Sequence, residues 1–277
     1  MSSTNKFFGF VAIGVLFTLP FVNCWLVQIR HVQCAWCATM LFMLGFCLLA
    51  GKQLSRRWLG MLIDERNVIS LSRFQMILWT IVVLSAFIAA AFYNVFNNVD
   101  SPLAIAIPNH IWLAMGISTA SLVGTPLILA QKSEKSVNPE NAEAAKKQFD
   151  PPSEAQTSPV PEGQTPPPKP SDNIANKGPV VYNKRPENAA WTDMVTGDEL
   201  SNGAHLDLAK VQMLFFTIAI IVSYIYAIWR LFGFAPADGL IAFPDLDESA
   251  IALLGISHSG YLVNKAVPRS VAATDTQ

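Results

Sequence analysis

Long apolar runs separated by short polar loops dominate this chain. Six runs are long enough to cross about 30 Å of hydrocarbon as helices that rise about 1.5 Å per residue. They cover about residues 7–29, 32–51, 74–96, 110–130, 211–232 and 248–265, and the last is the weakest. The pattern therefore predicts an all-α membrane protein with six transmembrane helices.

Two of the runs begin with nearly the same sequence. Residues 71–81 read LSRFQMILWTI, and residues 208–218 read LAKVQMLFFTI. A second pair of similar segments follows after a proline-containing loop, with MGIS at 115–118 and LGIS at 254–257. This indicates a tandem duplication. Because each copy crosses the membrane twice, we expect two parallel two-helix repeats behind an N-terminal helical hairpin.

Composition divides the chain into five segments. They are a two-helix membrane hairpin at 1–57, repeat A at 58–131, a Pro-rich linker at 132–190, repeat B at 191–269 and a short tail at 270–277. The linker contains Pro-rich stretches such as PPPKP at 166–170 and lacks apolar periodicity. It is therefore predicted to be disordered. It could serve as a spacer or bind a cytoplasmic partner that recognises polyproline.

Lys and Arg residues predict the orientation of the chain. If both termini are cytoplasmic, the loop after the second run and the whole segment 132–206 lie inside, while the outer loops are mostly neutral or acidic. This asymmetry, with 52% hydrophobic and 14% charged residues, predicts a bacterial inner-membrane protein with cytoplasmic termini. The net charge of −1 gives no support to a nucleic-acid partner.

The first helix of each repeat carries matching polar residues. Ser70 and Asp207 precede the two helices and are predicted N-caps. Gln75 and Gln212 then occupy one equivalent position, and Thr80 and Thr217 occupy a deeper one. A glutamine inside hydrocarbon is costly unless it is paired, so we expect both glutamines to form interhelical hydrogen bonds or to line a polar cavity.

The second helix of each repeat has a stripe of small and polar residues. Ser118 and Ser257 head the two stripes, which are typical of close helix packing but could also line a permeation route. His258 is the one titratable side chain clearly inside a predicted span, and no second acid or base accompanies it. We therefore expect it to contact a neighbouring helix rather than relay protons.

The four cysteines lie in the first two predicted spans. Cys34 and Cys37 form a C-x-x-C pair at the predicted outer edge of the second span, where an oxidising compartment would favour redox chemistry. Metal binding together with Cys24 and His31 is another possibility. However, a redox relay needs a second outward pair, which the other outer loops lack. Packing of small apolar thiols is the simpler interpretation.

The motifs resemble those of uncharacterised bacterial membrane proteins. The resemblance rests on LIDERN at 62–67, SLSRFQ at 70–75 with WT at 79–80, and LLGIS at 253–257 followed by Tyr261 and Lys265. It implies a bacterial membrane location and supplies no catalytic residue. Repeat A departs from it at Pro126, where repeat B has Lys265.

Together these features predict a non-enzymatic membrane protein, either an assembly or signalling scaffold or a small channel. The alternatives are a transporter-like permeation protein and a thiol redox or metal-binding protein that uses Cys34 and Cys37. The expected partners are the lipid bilayer, a second copy or another membrane protein, and a cytoplasmic partner of the linker. We predict no cofactor, no catalytic residue and no resident metal.

Overall fold

A computed structural model describes residues 14, 18, 19, 21–28, 31–150, 169–267 and 269. The described part of the chain is mostly helical, and residues 21–28 form a helical segment. The α-helices that follow are α1 (Val32–Ser55), α2 (Leu71–Phe96), α3 (Asn109–Ser133), α4 (Pro139–Lys146), α5 (Leu208–Gly233) and α6 (Glu248–Ala266). Strands β1 (Ile174–Lys177) and β2 (Val180–Asn183) form an antiparallel hairpin.

Four of the described helices, α1, α2, α3 and α5, are long and apolar enough to cross a membrane. Each contains one of the predicted spans. The predicted sixth span is also a helix, α6, but it is not among these four. About half of the predicted first span, 7–29, lies outside the described residues, and its residues 21–28 are helical.

The chain divides into two compact units. Unit 1 comprises the described residues of Met1–Leu62, Ser72–Leu122 and Gln212–Ser259. Unit 2 comprises those of Ile63–Leu71, Val123–Val211 and Gly260–Gln277.

The core of unit 1 is an apolar cluster contributed by α1, α2, α3, α5, α6 and the loops that precede α3 and α6. Ala86, Ala89 and Ala90 of α2 are fully buried, and their small side chains allow neighbouring helices to approach closely. Two pairs of large aromatic side chains in this core pack edge to face or at a tilted angle. The ring centroids of Trp36 and Phe232 are 5.5 Å apart, and those of Trp79 and Tyr224 are 6.0 Å apart. Helix α2 is thus enclosed on several sides.

A short parallel bridge in unit 1 joins two loop segments of closely similar sequence. Residues 105–108 read IAIP and residues 241–244 read IAFP. Ala106 N donates to Ile241 O at 2.8 Å, and Phe243 N donates to Ala106 O at 3.0 Å. The bridge therefore pairs Ala106 with Ala242, the residues at matching positions of the two segments.

Unit 2 is organised around the β1–β2 hairpin and the short helix α4. The hairpin turn contains Gly178 at φ +54°, a left-handed conformation that favours glycine. Asn138 caps α4 by accepting a hydrogen bond from Glu140 N at 2.9 Å. A small apolar core joins these elements: Ala142, Ala145, Ile174, Val181 and Leu200.

The prediction that residues 132–190 are disordered is wrong for 132–150 and 169–190. These residues form the end of α3, α4, the hairpin and short 3-10 turns. Their apolar residues are few and far apart in sequence, so no local window shows periodicity, yet Ala142, Ile174 and Leu200 meet in one core. Most of the prolines predicted to keep the segment extended lie in 151–168, outside the described residues.

Candidate functional site around Asp198

The most unusual feature of unit 2 is a buried carboxylate that pairs with three cations. Asp198 Oδ1 accepts hydrogen bonds from Arg66 Nη1 at 2.9 Å and from Lys210 Nζ at 3.0 Å. Its Oδ2 lies 2.7 Å from Lys265 Nζ. The four side chains are at most 9% exposed. Three segments that are distant in sequence thus meet at one carboxyl group.

Arg66 is held by the loop that precedes α2. Asp64 accepts hydrogen bonds from Arg66 N, Nε and Nη2 at 2.9 to 3.2 Å, so it fixes both the backbone and the guanidinium. Asn67 follows in the left-handed conformation at φ 58°, which asparagine tolerates better than most residues. The amides of Asn67 and Asn183 donate to each other's backbone carbonyls at 2.8 and 2.9 Å, which ties this loop to β2.

Lys210 lies in the first turn of α5. Asp207 caps this helix by accepting from Ala209 N at 3.0 Å, which confirms the predicted N-cap. Asn264 of α6 donates to the same carboxylate at 3.1 Å. Lys210 Nζ also donates to Asp193 O at 3.2 Å, so the ammonium contacts two residues of the segment that precedes α5.

A second buried ion pair lies in the same unit. Lys132 Nζ, at the end of α3, donates to Glu199 Oε1 at 2.5 Å and to Val267 O at 2.7 Å. In α6 the ammonium of Lys265 lies 4.6 Å from the ring centroid of Tyr261, within the range of a cation–π contact. The adjacent residues Asp198 and Glu199 therefore bind the ends of α3, α5 and α6 within unit 2.

The electrostatics keep this network ionised. Burial by itself would raise the pKa of Asp198, but Lys210, Lys265 and Arg66 hold that pKa well below its usual range. Burial by itself would lower the pKa of Arg66, but Asp198 and Asp64 raise it. A carboxylate with a low pKa and bonds to both oxygens is a poor proton acceptor near neutral pH. The arrangement is therefore suited to holding chain segments together rather than to acid–base chemistry.

A cavity of about 490 Å³ opens beside Arg66 and Asp198. We call it the Asn188 cavity. Asp193 lies in its wall, where burial raises the pKa of this carboxyl group although hydrogen bonds from Ala190 N and Ile69 N oppose the increase. Its Oδ2 accepts these bonds at 2.9 and 3.1 Å.

The predicted glutamine contacts are found in only one of the two repeats. Gln75 is fully buried and donates through Nε2 to Thr217 Oγ1 at 2.7 Å, which links α2 to α5. Gln212, predicted to make an equivalent bond, is exposed. Thr80 bonds within its own helix, to Met76 O at 2.8 Å. The two repeats differ because α2 lies in the centre of unit 1, whereas Gln212 lies on an outer face of α5.

The stripes of the second helices pair with each other in part. Ser121 Oγ lies 2.7 Å from His258 Nδ1, so the histidine contacts a neighbouring helix. Ser118 and Ser257 are buried and donate to carbonyls of their own helices, Ala114 O at 3.1 Å and Leu254 O at 3.0 Å. These hydroxyl groups are thus satisfied locally, without a polar partner on another helix.

The cysteine pair lies near the start of α1. Cys34 is exposed, Cys37 is partly buried, and both are free thiols. Among the described residues, no group of three or more His, Cys, Asp and Glu side chains is arranged to hold a metal ion. A thiol function of this pair remains a hypothesis.

Sequence reasoning missed the residues at the centre of the site. Asp198 and Glu199 lie near the start of the predicted repeat B, and no role was predicted for them. Three other residues of the site could have been found from the sequence. Asp64, Arg66 and Lys265 belong to the motifs on which the resemblance to bacterial membrane proteins rests. Comparison with protein-family models, with curated proteins and with solved structures found no match to this chain.

Proposed function

We propose that the protein is a non-enzymatic, multi-pass protein of the bacterial inner membrane that acts as an assembly or signalling scaffold. In this proposal its helices anchor unit 2, including the described residues 132–150 and 169–207, in the cytoplasm. The observation that carries the proposal is the pairing of Asp198 with Arg66, Lys210 and Lys265. A fully bonded network of this kind fixes three chain segments and has no free reactive group.

The proposed topology has six spans, with two parallel two-helix repeats behind an N-terminal hairpin. The bridge between the IAIP and IAFP segments supports the repeats, because it pairs matching positions in parallel. The contacts between α2 and α5 also agree with parallel repeats. Gln75 bonds Thr217 and Trp79 packs on Tyr224, so residue numbers rise together along both helices. Helices related by an axis along the membrane normal run in one direction in this way.

A scaffold has more support than a channel or transporter. Several polar side chains on the candidate spans and on α6 bond to each other or to their own backbone: Gln75 to Thr217, Ser121 to His258 and Ser118 to Ala114. The polar atoms of these helices that have no partner, such as Trp79 Nε1 and Tyr224 Oη, are buried in the packed core. A permeation route needs polar groups that hydrate or coordinate the permeant. The proposed partners are a second copy, another membrane protein or a cytoplasmic protein.

Reporter fusions test the topology. Fusions after residue 140 and at the C-terminus should both report cytoplasm, and a fusion near Asn98 should report the outer compartment. An outward signal from residue 140 would overturn the proposed orientation.

Two further measurements test the scaffold. Purified protein in liposomes should pass no more ions or small solutes than empty liposomes, and flux above that background would replace the scaffold with a channel. A photo-crosslinking amino acid at exposed Lys177 should give a discrete adduct in native membranes. That adduct should disappear when Asp198→Ala loosens unit 2, whereas Glu134→Ala, which changes an exposed carboxylate, should preserve it.

A further inference from the structure

The Asn188 cavity has the size of a site for an organic ligand. Its volume of about 490 Å³ far exceeds the roughly 30 Å³ that one water molecule occupies and lies within the range of about 300–1,000 Å³ typical of ligand pockets. Asn188 lines it, and the Nδ2 of this side chain is buried without a hydrogen-bond partner. Because buried donors are rarely left unpaired, this amide indicates an acceptor supplied from the cavity.

Three charged side chains line the cavity: Arg66, Asp193 and Asp198. Arg66 pairs with Asp198 at 2.9 Å, so Asp193 contributes the remaining charge, which is negative. The cavity wall therefore disfavours a phosphate group inside the cavity. Its neutral side chains suit the uncharged part of a ligand that can both donate and accept hydrogen bonds.

The cavity walls are of two kinds. One set of residues offers apolar contact and includes a single aromatic ring: Val68, Phe149, Pro170, Ile174 and Val181. The other offers neutral donors and acceptors on side-chain amides and hydroxyls: Gln148, Asn173, Asn183, Asn188, Thr192 and Thr196. A flat ligand with polar edges can satisfy both sets at once, because its faces meet the apolar side chains and its edges meet the amides.

Asp193 adds a feature that points to vicinal hydroxyl groups. Its Oδ2 is held by the backbone N–H groups of Ile69 and Ala190, while its Oδ1 makes no hydrogen bond to another described residue. A fixed carboxylate with a free oxygen can accept hydrogen bonds from ribose hydroxyls, as an acidic residue does in dinucleotide-binding folds. Amide side chains bind base edges, and aromatic rings stack on base faces.

We propose that the Asn188 cavity binds a nucleoside moiety, with the base between Phe149 and the amides and the ribose at Asp193. The proposal rests on this cavity and is independent of the scaffold function. The moiety could belong to a free nucleoside or to a nucleotide. A neighbouring groove shares Ile174 with the cavity and carries four lysines that could contact phosphate: Lys146, Lys147, Lys169 and Lys184. The same groove holds the carboxylates of Glu143, Asp150 and Asp172, and Glu143 pairs with Lys146.

The test uses the full chain in detergent or nanodiscs, with adenosine, guanosine, uridine, AMP and glucose as probes. We expect at least one nucleoside or AMP to raise the Tm and to give a calorimetric Kd. Asn188→Leu should weaken that binding about tenfold, because it removes the unpaired donor. Asp193→Asn should weaken it while retaining an oxygen for the two backbone N–H groups. Gln131→Leu, an exposed amide outside the cavity, is the matched control and should bind normally.

The two sources of the moiety give different results. Equal Kd values for adenosine and AMP would indicate a nucleoside. Tighter binding of AMP that is lost in Lys147→Ala or Lys169→Ala would indicate a nucleotide. If Asn188→Leu does not fold, Gln148→Leu replaces it, because that side chain is exposed on the cavity wall. The proposal is overturned if no nucleoside or AMP binds, if only glucose binds, or if the cavity variants bind as tightly as Gln131→Leu.

Discussion

Unit 1 and unit 2 bury polar side chains in different ways. In unit 1 they are mainly neutral and meet in pairs, such as Gln75 with Thr217 and Trp36 Nε1 with Ser85 Oγ at 2.9 Å. In unit 2 they are charged and share partners, as at Asp198. Neutral pairs between membrane helices contribute about 0.6 kcal/mol on average, whereas removal of one member of a buried ion pair costs about 3–5 kcal/mol. The sensitivity of this protein to mutation should therefore be concentrated in unit 2.

The largest effect is expected at Asp198. Asp198→Ala should destabilise unit 2 by about 3–5 kcal/mol, because Arg66, Lys210 and Lys265 would remain buried without their shared acceptor. Pulse proteolysis in detergent measures the change. Glu134→Ala, at an exposed carboxylate in the same unit, should change stability by less than about 0.5 kcal/mol. Equal losses in the two variants would contradict a special role for Asp198.

Acid should unfold unit 2 through the same carboxylate. The pKa of Asp198 is depressed in the folded protein, so its contribution is fully present above the unfolded value of about 3.9 and is lost as the pH falls below that value toward the folded pKa. Each unit by which folding lowers this pKa corresponds to about 1.4 kcal/mol of folding stability above the unfolded pKa. Unfolding measured from pH 6 to pH 2 should show a steep loss below about pH 4. The loss should be shallower in Asp198→Asn, and an unchanged slope would assign the acid sensitivity to other groups.

A smaller effect should separate the two repeats. Gln75→Leu should lower stability by about 0.6–2 kcal/mol, because it removes the bond to Thr217 in a fully buried site. Gln212→Leu should change stability by less than about 0.5 kcal/mol, because that side chain is exposed. Thermal melts of both variants in one detergent make the comparison. Similar losses of stability in the two variants would instead mean that Gln75 and Gln212 make equivalent contacts, as the sequence suggests.

The smallest effect is expected at the cysteine pair. Cys34→Ala and Cys37→Ala should leave membrane accumulation and the Tm nearly unchanged, because these thiols are exposed or only partly buried. Immunoblots of membrane fractions and thermal melts measure this. An intramolecular disulfide that cycles with a quinone or a partner thiol would instead favour the redox alternative. Cys47→Ala, in the same helix but outside the pair, serves as the control.

Local signals predicted the helices well. Helices α2 and α5 begin at Leu71 and Leu208, which are also the first residues of the similar segments 71–81 and 208–218. Asp207 caps α5 as its position before the apolar run suggested. Such features depend on neighbours within a few residues, and the sequence alone contains that information.

The candidate site could not be predicted in the same way. Asp198 meets Arg66, Lys210 and Lys265, which lie 132, 12 and 67 positions away along the chain, and no local pattern pairs them. The order of residues 169–190 depends likewise on contacts between Ala142, Ile174 and Leu200. Each is an ordinary residue in its own segment, and only the fold brings them together.

The sequence by itself determined the helical class, the runs long and apolar enough to cross a membrane, the starts of the paired helices and the two similar loop segments, because apolar length, capping and repetition act locally. Tertiary structure alone decided which glutamine is buried, which charges share Asp198 and where the Asn188 cavity opens. These outcomes depend on which surfaces pack together. Two nearly identical segments can therefore place Gln75 in a core and leave Gln212 exposed.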